Sequence, residues 1–282
     1  MPDDVHEVYA IRYAHHDRRS SENFLRGDPH DVLQPLAYFV WAVVGPHGTF
    51  VVDTGFDRQM ADKRGRVLLK PIADGLKAID IAADAVEHVI VTHLHYDHCG
   101  NHGLFPRARY HLQEIEMAYA TGRSMCHAEM RVPFEVDDVA AMVRKVFDQR
   151  VVFHDRTGQI APGITVHHIG GHSKGLQCVR VRTRRGHVVL ASDASHLYAH
   201  FTEGRVFPVT YSVADTLEGY ATLRALAESP DHVVPGHDPQ VLERYPAAAP
   251  ALENWIVRLD VEPLDTARSA SPSGAPSGPR SS

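Results

Sequence analysis

The chain has 282 residues, enough for one large α/β domain or two small ones. Its hydrophobic share of 44% and charged share of 23% sit near globular averages, which excludes a wholly disordered chain. With 29 basic against 35 acidic residues the formal charge is -6, so there is no basic footprint for nucleic acid or an anionic membrane, and neither is expected as a partner.

Cys99, Cys126 and Cys178 are widely spaced and form no CxxC, which argues against a disulfide framework or a thiolate zinc knuckle and fits a reducing compartment. The opening MPDDVHEVYAIRYAHHDRRS lacks the basic start, apolar core and small-residue cleavage site of a secretory leader, so a cytoplasmic protein is expected. No apolar run approaches the roughly 18 residues that a membrane span needs. The compositional oddity is the 21 histidines, and imidazole is the commonest protein metal ligand.

In chain order, Leu36 to Val44 (LAYFVWAVV) is apolar and β-prone, GPHG makes a turn, and TFVVDTG returns as a second strand ending at Asp53, a hairpin of a core sheet. Ile81 to Val86 reads as helical and feeds a short buried strand from Glu87 to Thr92 that stops at a histidine-rich loop. Between Glu114 and Phe147 the pattern is mostly helical, and Val139, Met142, Val143 and Val146 at i, i+3, i+4 and i+7 form one inward face. Strands are predicted at Val151–Phe153, Ile164–Ile169, Val179–Arg182 and Val188–Ala191. A helix follows from Ala214 to Glu228, ended by Ser229-Pro230, and then a short strand, His232-Val-Val. From about Thr266 the tail TARSASPSGAPSGPRSS has almost nothing to bury, so residues 1–265 are expected to form the folded domain and 266–282 a disordered tail.

The densest chemistry lies in His93-Leu-His95-Tyr-Asp97-His98, three imidazoles and a carboxylate just past a buried strand. Residues two apart can point the same way, so 93 and 95 or 95 and 97 can converge while His98 turns toward a second centre. A merely solvated loop is the bland alternative, but such crowding beside a buried strand is hard to satisfy without a cation. Three further strands end in Gly, Ser or Pro and deliver a ligand-type residue: His172 after Gly170-Gly171, Asp193 after Ser192, and His237 after Gly236. Strand ends on one side share an edge, so all four deliveries predict one cleft.

Other residues carry ordinary readings. His102, His111, His127, His154, His187 and His232 sit singly near turns or strand starts and are expected in surface or hydrogen-bonded roles. His167 and His168 are neighbours on a strand and face opposite sides. Cys99 reads as a small buried hydrophobe, and Arg18 and Arg19 as a solvated face, with substrate contact the lesser alternative.

Together HLHYDH, GGHSKG, SDAS and PGHD resemble the metallo-β-lactamase superfamily, and with VDTG at Val52–Gly55 the likeness runs from about Leu36 to Asp238. The resemblance implies a four-layer αββα sandwich. It places His93, His95 and His172 on one divalent metal ion and Asp97, His98 and His237 on a second, with Asp193 bridging and Asp53 bracing the loop. Nitrogen and carboxylate ligands without thiolate suit zinc, with manganese, iron and cobalt left open. Asp97, Asp193 and His196 stand at the reaction, in which a hydroxide shared by the ions would attack a carbonyl.

Within that superfamily VDTG, DHCGN and DAS resemble the lactonase branch, the acyl-homoserine lactonases and pyridoxolactonase-like enzymes. The implied substrate is a lactone, N-acyl-homoserine lactone-like or another cyclic ester, with the 114–147 insert roofing the pocket. The alternatives are a glyoxalase-type thioesterase and a non-hydrolytic iron-binding redox protein on the same fold. The sequence departs from the branch twice: His196 stands where a tyrosine usually meets the substrate carbonyl, and Lys174 where a Pro or small residue is common. His196 can still donate a hydrogen bond, and Tyr198 or Tyr211 could substitute. A homodimer is expected on base rate alone.

Overall fold

Nine consecutive apolar residues from Leu36 to Val44 need cover on both faces. In the computed structural model, which describes residues 4–264, they form a strand doing just that. Ala37, Phe39, Trp41 and Val43 enter one core, and Tyr38, Val40 and Ala42 enter another. The expected tail from 266 lies outside the described residues.

The strands in chain order are β1 (Glu7–His16), β2 (Leu36–Gly45), β3 (Gly48–Val52), β4 (Val67–Leu68), β5 (His88–Ile90), β6 (Arg109–Gln113) and β7 (Val151–His154), followed by β8 (Thr157–Ala161), β9 (Ile164–His168), β10 (Gln177–Thr183), β11 (Gly186–Ser192), β12 (Val233–Pro235) and β13 (Ile256–Arg258). One sheet has the order β13-β1-β2-β3-β5-β6-β7, with β4 paired to β1, and the other the order β12-β11-β10-β9-β8. Helices Arg58–Arg64, Ile72–Lys77, Glu114–Ala120 and Val136–Phe147 cover the first sheet, and Ala61, Leu76, Tyr119 and Met142 pack there with Val40, Val51 and Val89. Tyr198–Glu203, Val213–Leu226 and Gln240–Arg244 supply Phe201, Tyr220, Leu223 and Val241 to the core shared with the second sheet. The result is the four-layer αββα sandwich. No described helix is long and apolar enough to cross a membrane.

Strand direction decides where the candidate residues go. β3 and β5 are parallel, as are β11 and β12, and β9 runs with β11 because each is antiparallel to β10 between them. The C-terminal ends of β9, β11 and β12 therefore reach one edge.

Several expectations change in detail. The 114–147 insert is not one helix. It breaks at Gly122, His127 and Pro133 into Glu114–Ala120, a 3-10 turn Arg123–Cys126, Ala128–Arg131 and Val136–Phe147. Val139 and Met142 of its predicted face are buried, and Val143 and Val146 partly so. Ile81 to Val86 holds only a 3-10 turn at Ala83–Ala85, too short a stretch to sustain a helix. β6, β8 and β13 were not anticipated, since RYHLQ and TGQIA are rich in polar residues and β13 has three residues.

His111 and His154, read as ordinary, form a ladder with His88 across adjacent parallel strands. His88 Nδ1 lies 3.0 Å from His111 Nε2, and His111 Nδ1 lies 3.1 Å from His154 Nε2. Each contact needs one protonated and one bare nitrogen, which neutral rings supply. Burial first, then His154 and His88, pushes the His111 pKa down to about 3 from 6.5. A histidine lowered on folding favours the fold fully above its unfolded value, and that contribution is lost as pH falls from 6.5 toward 3. His111→Gln is expected to flatten the fall of the urea midpoint below pH 6.5, and an equally steep fall would assign the acid sensitivity elsewhere.

Candidate metal centre

The loop leaving β5 places His93, His95, Asp97 and His98 within a few ångströms of one another, the last two on the short helical turn Tyr96–Cys99. His172 arrives after β9, Asp193 after β11 and His237 after β12. All seven are buried, none more than 8% exposed. Ligand atoms converge within 4.8 Å in four groups: His93, His95 and His172; His93, His98 and Asp193; Asp97, His98 and His237; His172, Asp193 and His196.

Asp193 divides the cluster. Its Oδ2 faces His172 Nε2 at 3.1 Å and His93 Nε2 at 3.9 Å, while its Oδ1 faces His237 Nε2 at 2.9 Å and His98 Nε2 at 3.2 Å. His95 Nδ1 is 2.8 Å from His172 Nε2, on the Oδ2 side. Asp97 Oδ2 lies 3.6 Å from His98 Nε2 and 3.8 Å from His237 Nε2, on the Oδ1 side. His93 Nε2, His98 Nε2 and Asp193 Oδ1 are buried without a hydrogen-bond partner. An unsatisfied buried polar atom costs about 1–3 kcal/mol, so three of them turned inward together fit a site that binds metal.

The charges point the same way. Burial, then neighbouring imidazoles, holds His93 and His95 well below the ordinary imidazole range, so each ring is neutral with one bare nitrogen. His98 moves up: burial opposes its charge, but Asp193, Asp97 and Asp53 outweigh it. Asp193 stays ionised despite burial because His237, His98, His196 and His172 surround it.

Partners outside the cluster fix its rings. Asp53 accepts from Thr92 N at 2.7 Å, Thr92 Oγ1 at 2.8 Å and His98 Nδ1 at 2.7 Å, the bracing part expected of it. His172 Nδ1 donates to the Val209 carbonyl at 2.7 Å and His237 Nδ1 to that of Ala37 at 2.9 Å. Asp53 and Ser192, at φ 62° and 46°, hold left-handed backbone that such residues adopt seldom, both where a strand turns into the site. A Cβ on Gly236 would meet the Ser192 carbonyl at 2.7 Å and Asp193 Oδ1 at 2.9 Å, so only glycine lets the two strand exits pass this closely.

The sequence model of the metallo-beta-lactamase superfamily matches residues 30–237. The chain belongs to that superfamily. Among its relatives is the N-acyl homoserine lactonase AttM of Rhizobium radiobacter, 27% identical over 238 residues that cover 79% of this chain and 89% of AttM. The N-acyl homoserine lactonase AiiA of Bacillus thuringiensis subsp. kurstaki is 25% identical over 186 residues, 61% of this chain and 69% of AiiA. A crystal structure of a quorum-quenching N-acyl homoserine lactone lactonase superposes with a TM-score of 0.70 at 21% identity, covering 84% of this chain and 94% of that one. AidC, a dizinc quorum-quenching lactonase, superposes with a TM-score of 0.64 at 15% identity, covering 84% of this chain and 89% of its own.

In this metallo-beta-lactamase fold a cavity of 320 Å³ opens at the cluster, with His95 and His172 at its inner end and Tyr119, Val132, Pro208 and Tyr211 along its walls. Tyr119 and Val132 come from the 114–147 insert, which walls the cavity as expected. Tyr211 belongs to it, but Tyr198 does not: its ring packs beneath the Arg244 guanidinium at 4.3 Å, away from the cluster. His196 reaches the cluster through Nε2, 3.0 Å from Asp193 Oδ2, and stacks on Phe207 at 3.8 Å. Arg19 pairs with Asp31 at the surface, and Lys174 is exposed. Cys99 is fully buried, and His167 and His168 stay outside the cluster.

One residue at the site went unforeseen. Glu116, fully buried, accepts from Leu94 N at 2.9 Å, from Ser173 Oγ at 2.7 and 2.6 Å and from Gly175 N at 2.7 Å. It ties the loop carrying His93 and His95 to the loop carrying His172.

Proposed function

We propose that this chain is a dinuclear metal-dependent hydrolase that opens a lactone, of the N-acyl-homoserine lactone type or a related cyclic ester. The observation that carries the reading is the split of Asp193, one carboxylate oxygen toward each of two groups of ligand-type side chains; the lactonase relatives agree with it. On this reading His93, His95, His172 and Asp193 would hold one ion, and Asp97, His98, His237 and Asp193 the other. Zinc is the ion such a thiolate-free nitrogen and oxygen set favours. When bound, two such ions supply Lewis acidity toward the carbonyl and lower the pKa of water toward neutrality.

The chain's own residues do the rest. Asp53 and the Val209 and Ala37 carbonyls keep the imidazoles in the tautomers that leave Nε2 bare toward the cluster. Burial pushes the His196 pKa down to about 4, so the ring is neutral at physiological pH and its single proton lies on Nε2, facing Asp193. Its Nδ1 is then an acceptor, so His196 positions Asp193 rather than donating to the substrate. The hydroxyl for the substrate carbonyl comes from Tyr211, on the cavity wall.

Tyr211→Phe is therefore expected to lower kcat on a lactone by about 100-fold at unchanged metal content. A kcat within about twofold of the parent would return that part to another group. The reading as a whole is tested on the metal-loaded protein with homoserine lactones, simple γ-lactones and a glutathione thioester. Ring opening that outpaces thioester cleavage is expected, and failure to open any lactone with ions bound would remove the reading.

A further inference from the structure

The 320 Å³ cavity ends at His95 and His172, on the Oδ2 side of Asp193, and the Oδ1 side has a different neighbourhood. β4 pairs antiparallel with the end of β1, Ala14 opposite Leu68 and His15 opposite Val67, which sets Arg66 beside His16. Arg66 Nη1 lies 3.2 Å from His16 Nε2, and Arg66 Nε donates to the Tyr96 hydroxyl at 3.0 Å. That hydroxyl is 3.4 Å from the Tyr38 hydroxyl, and the Tyr38 ring stands edge-on to His237 at 5.0 Å. Tyr96 itself separates His95 from Asp97 in the metal loop. Arg18, two residues past β1, belongs to the same group: its charge and that of Arg66 both act on the Tyr38 phenol, and the charge of Asp97 acts on Arg66.

Among the described residues neither Arg18 nor Arg66 has a carboxylate partner. Arg18 Nη2 donates to the Glu22 carbonyl at 2.5 Å, and Arg18 Nε is buried with no partner. Arg66 adds to Tyr96 and His16 the Arg64 carbonyl at 2.7 Å. Their neighbours differ, since Arg19 holds Asp31 and Arg64 holds Glu135. Glu22 is near enough for its charge to act on Arg18, but its carboxylate accepts from Arg19 N at 2.8 Å. Burial, then Arg66 and Arg18, pushes the His16 pKa down to about 4, so that ring is neutral and offsets no charge. Two half-buried guanidiniums that feel each other beside a metal centre fit an anion brought in by the ligand.

We propose that Arg18 and Arg66 form an anion subsite on the Oδ1 side of the metal centre, and that the lactone opened there carries a carboxylate. This rests on the lactone reading above. A guanidinium presents paired donors that match the two oxygens of a carboxylate, and both side chains are open enough to receive one.

The test sets acids against their neutral amides on the metal-loaded protein. One pair is γ-butyrolactone-γ-carboxylate and its amide, the other N-succinyl-homoserine lactone and its terminal amide, which carry the charge at two distances from the ring. In at least one pair the acid is expected to have a kcat/KM about 10–100-fold above that of its amide. Arg18→Gln and Arg66→Gln are each expected to cut that ratio by about tenfold. A ratio between two ligands on one protein cancels any general loss of activity. Ratios near one in both pairs overturn the proposal, and so does a preference that both variants keep.

The lactam analogues of the same acids and amides read the subsite without turnover. Calorimetry is expected to show a lactam acid bound about tenfold more tightly than its amide, with the margin lost in both variants. That result with no lactone opened would sink the hydrolase reading and leave the anion subsite standing. A lactam acid bound equally by the parent and both variants would put its carboxylate on the ions and overturn the proposal. So would inorganic phosphate bound through both arginines with no acid preferred over its amide, because a free anion would then be the occupant.

Discussion

Asp193→Ala is expected to lower kcat/KM for lactone opening by about a thousandfold and to leave the protein with less than its full complement of ions. Lewis-acid stabilisation is worth several kcal/mol, and each 1.36 kcal/mol is about tenfold in rate, which sets that scale. The cause is local. Both carboxylate oxygens are engaged, Oδ1 toward His237 and His98 and Oδ2 toward His172 and His196, so Asp193 is the carboxylate that turns one oxygen to each half. Without Asp193 the buried imidazoles lose the anion that offsets the positive charge gathered there. Metal analysis and kinetics on the same preparation check it, and a variant with the parent's ion content and rate would mean that Asp193 is not the bridge.

Glu116→Gln should act at a distance through the loops. A carboxylate there accepts from Leu94 N on one oxygen and Gly175 N on the other, with Ser173 Oγ shared between them. Whichever way a glutamine amide turns, its NH2 meets a backbone N–H, leaving a buried donor unsatisfied at about 1–3 kcal/mol. The two loops it joins carry His93, His95 and His172, so the ion on that side should be held about 10–100-fold more weakly, with little change at the other. Stepwise metal titration against a chromophoric chelator distinguishes the two. Equal weakening of both ions, or none, would reduce Glu116 to a packing residue.

The cluster of ligand-type side chains was legible because its signals are local. HLHYDH is contiguous, and each remaining ligand-type residue follows an apolar strand and a small residue. Asp53 was legible only through the family resemblance, since its partners Thr92 and His98 lie far along the chain. Glu116 was not legible. Glu114, two residues earlier on the same helix, is exposed, and nothing in EIEM tells the two apart before the chain brings Ser173 to one of them. The same limit applies to the tyrosines. Tyr198 and Tyr211 are both near Asp193 in sequence, but the helix beginning at Tyr198 turns its first ring under Arg244, whereas Tyr211 is hydrogen-bonded through its backbone to Gly171 and so faces the cavity. The histidine ladder illustrates the reverse case: three residues that look unremarkable singly acquire a shared chemistry from strand order alone.

The most direct test of the account is to strip the protein of metal, add zinc back in measured equivalents, and follow lactone opening by proton release at each step. The account predicts negligible opening without metal and a rate that climbs until two ions are bound per chain, then levels. Full activity at one ion, or activity that survives complete removal of metal, would contradict it.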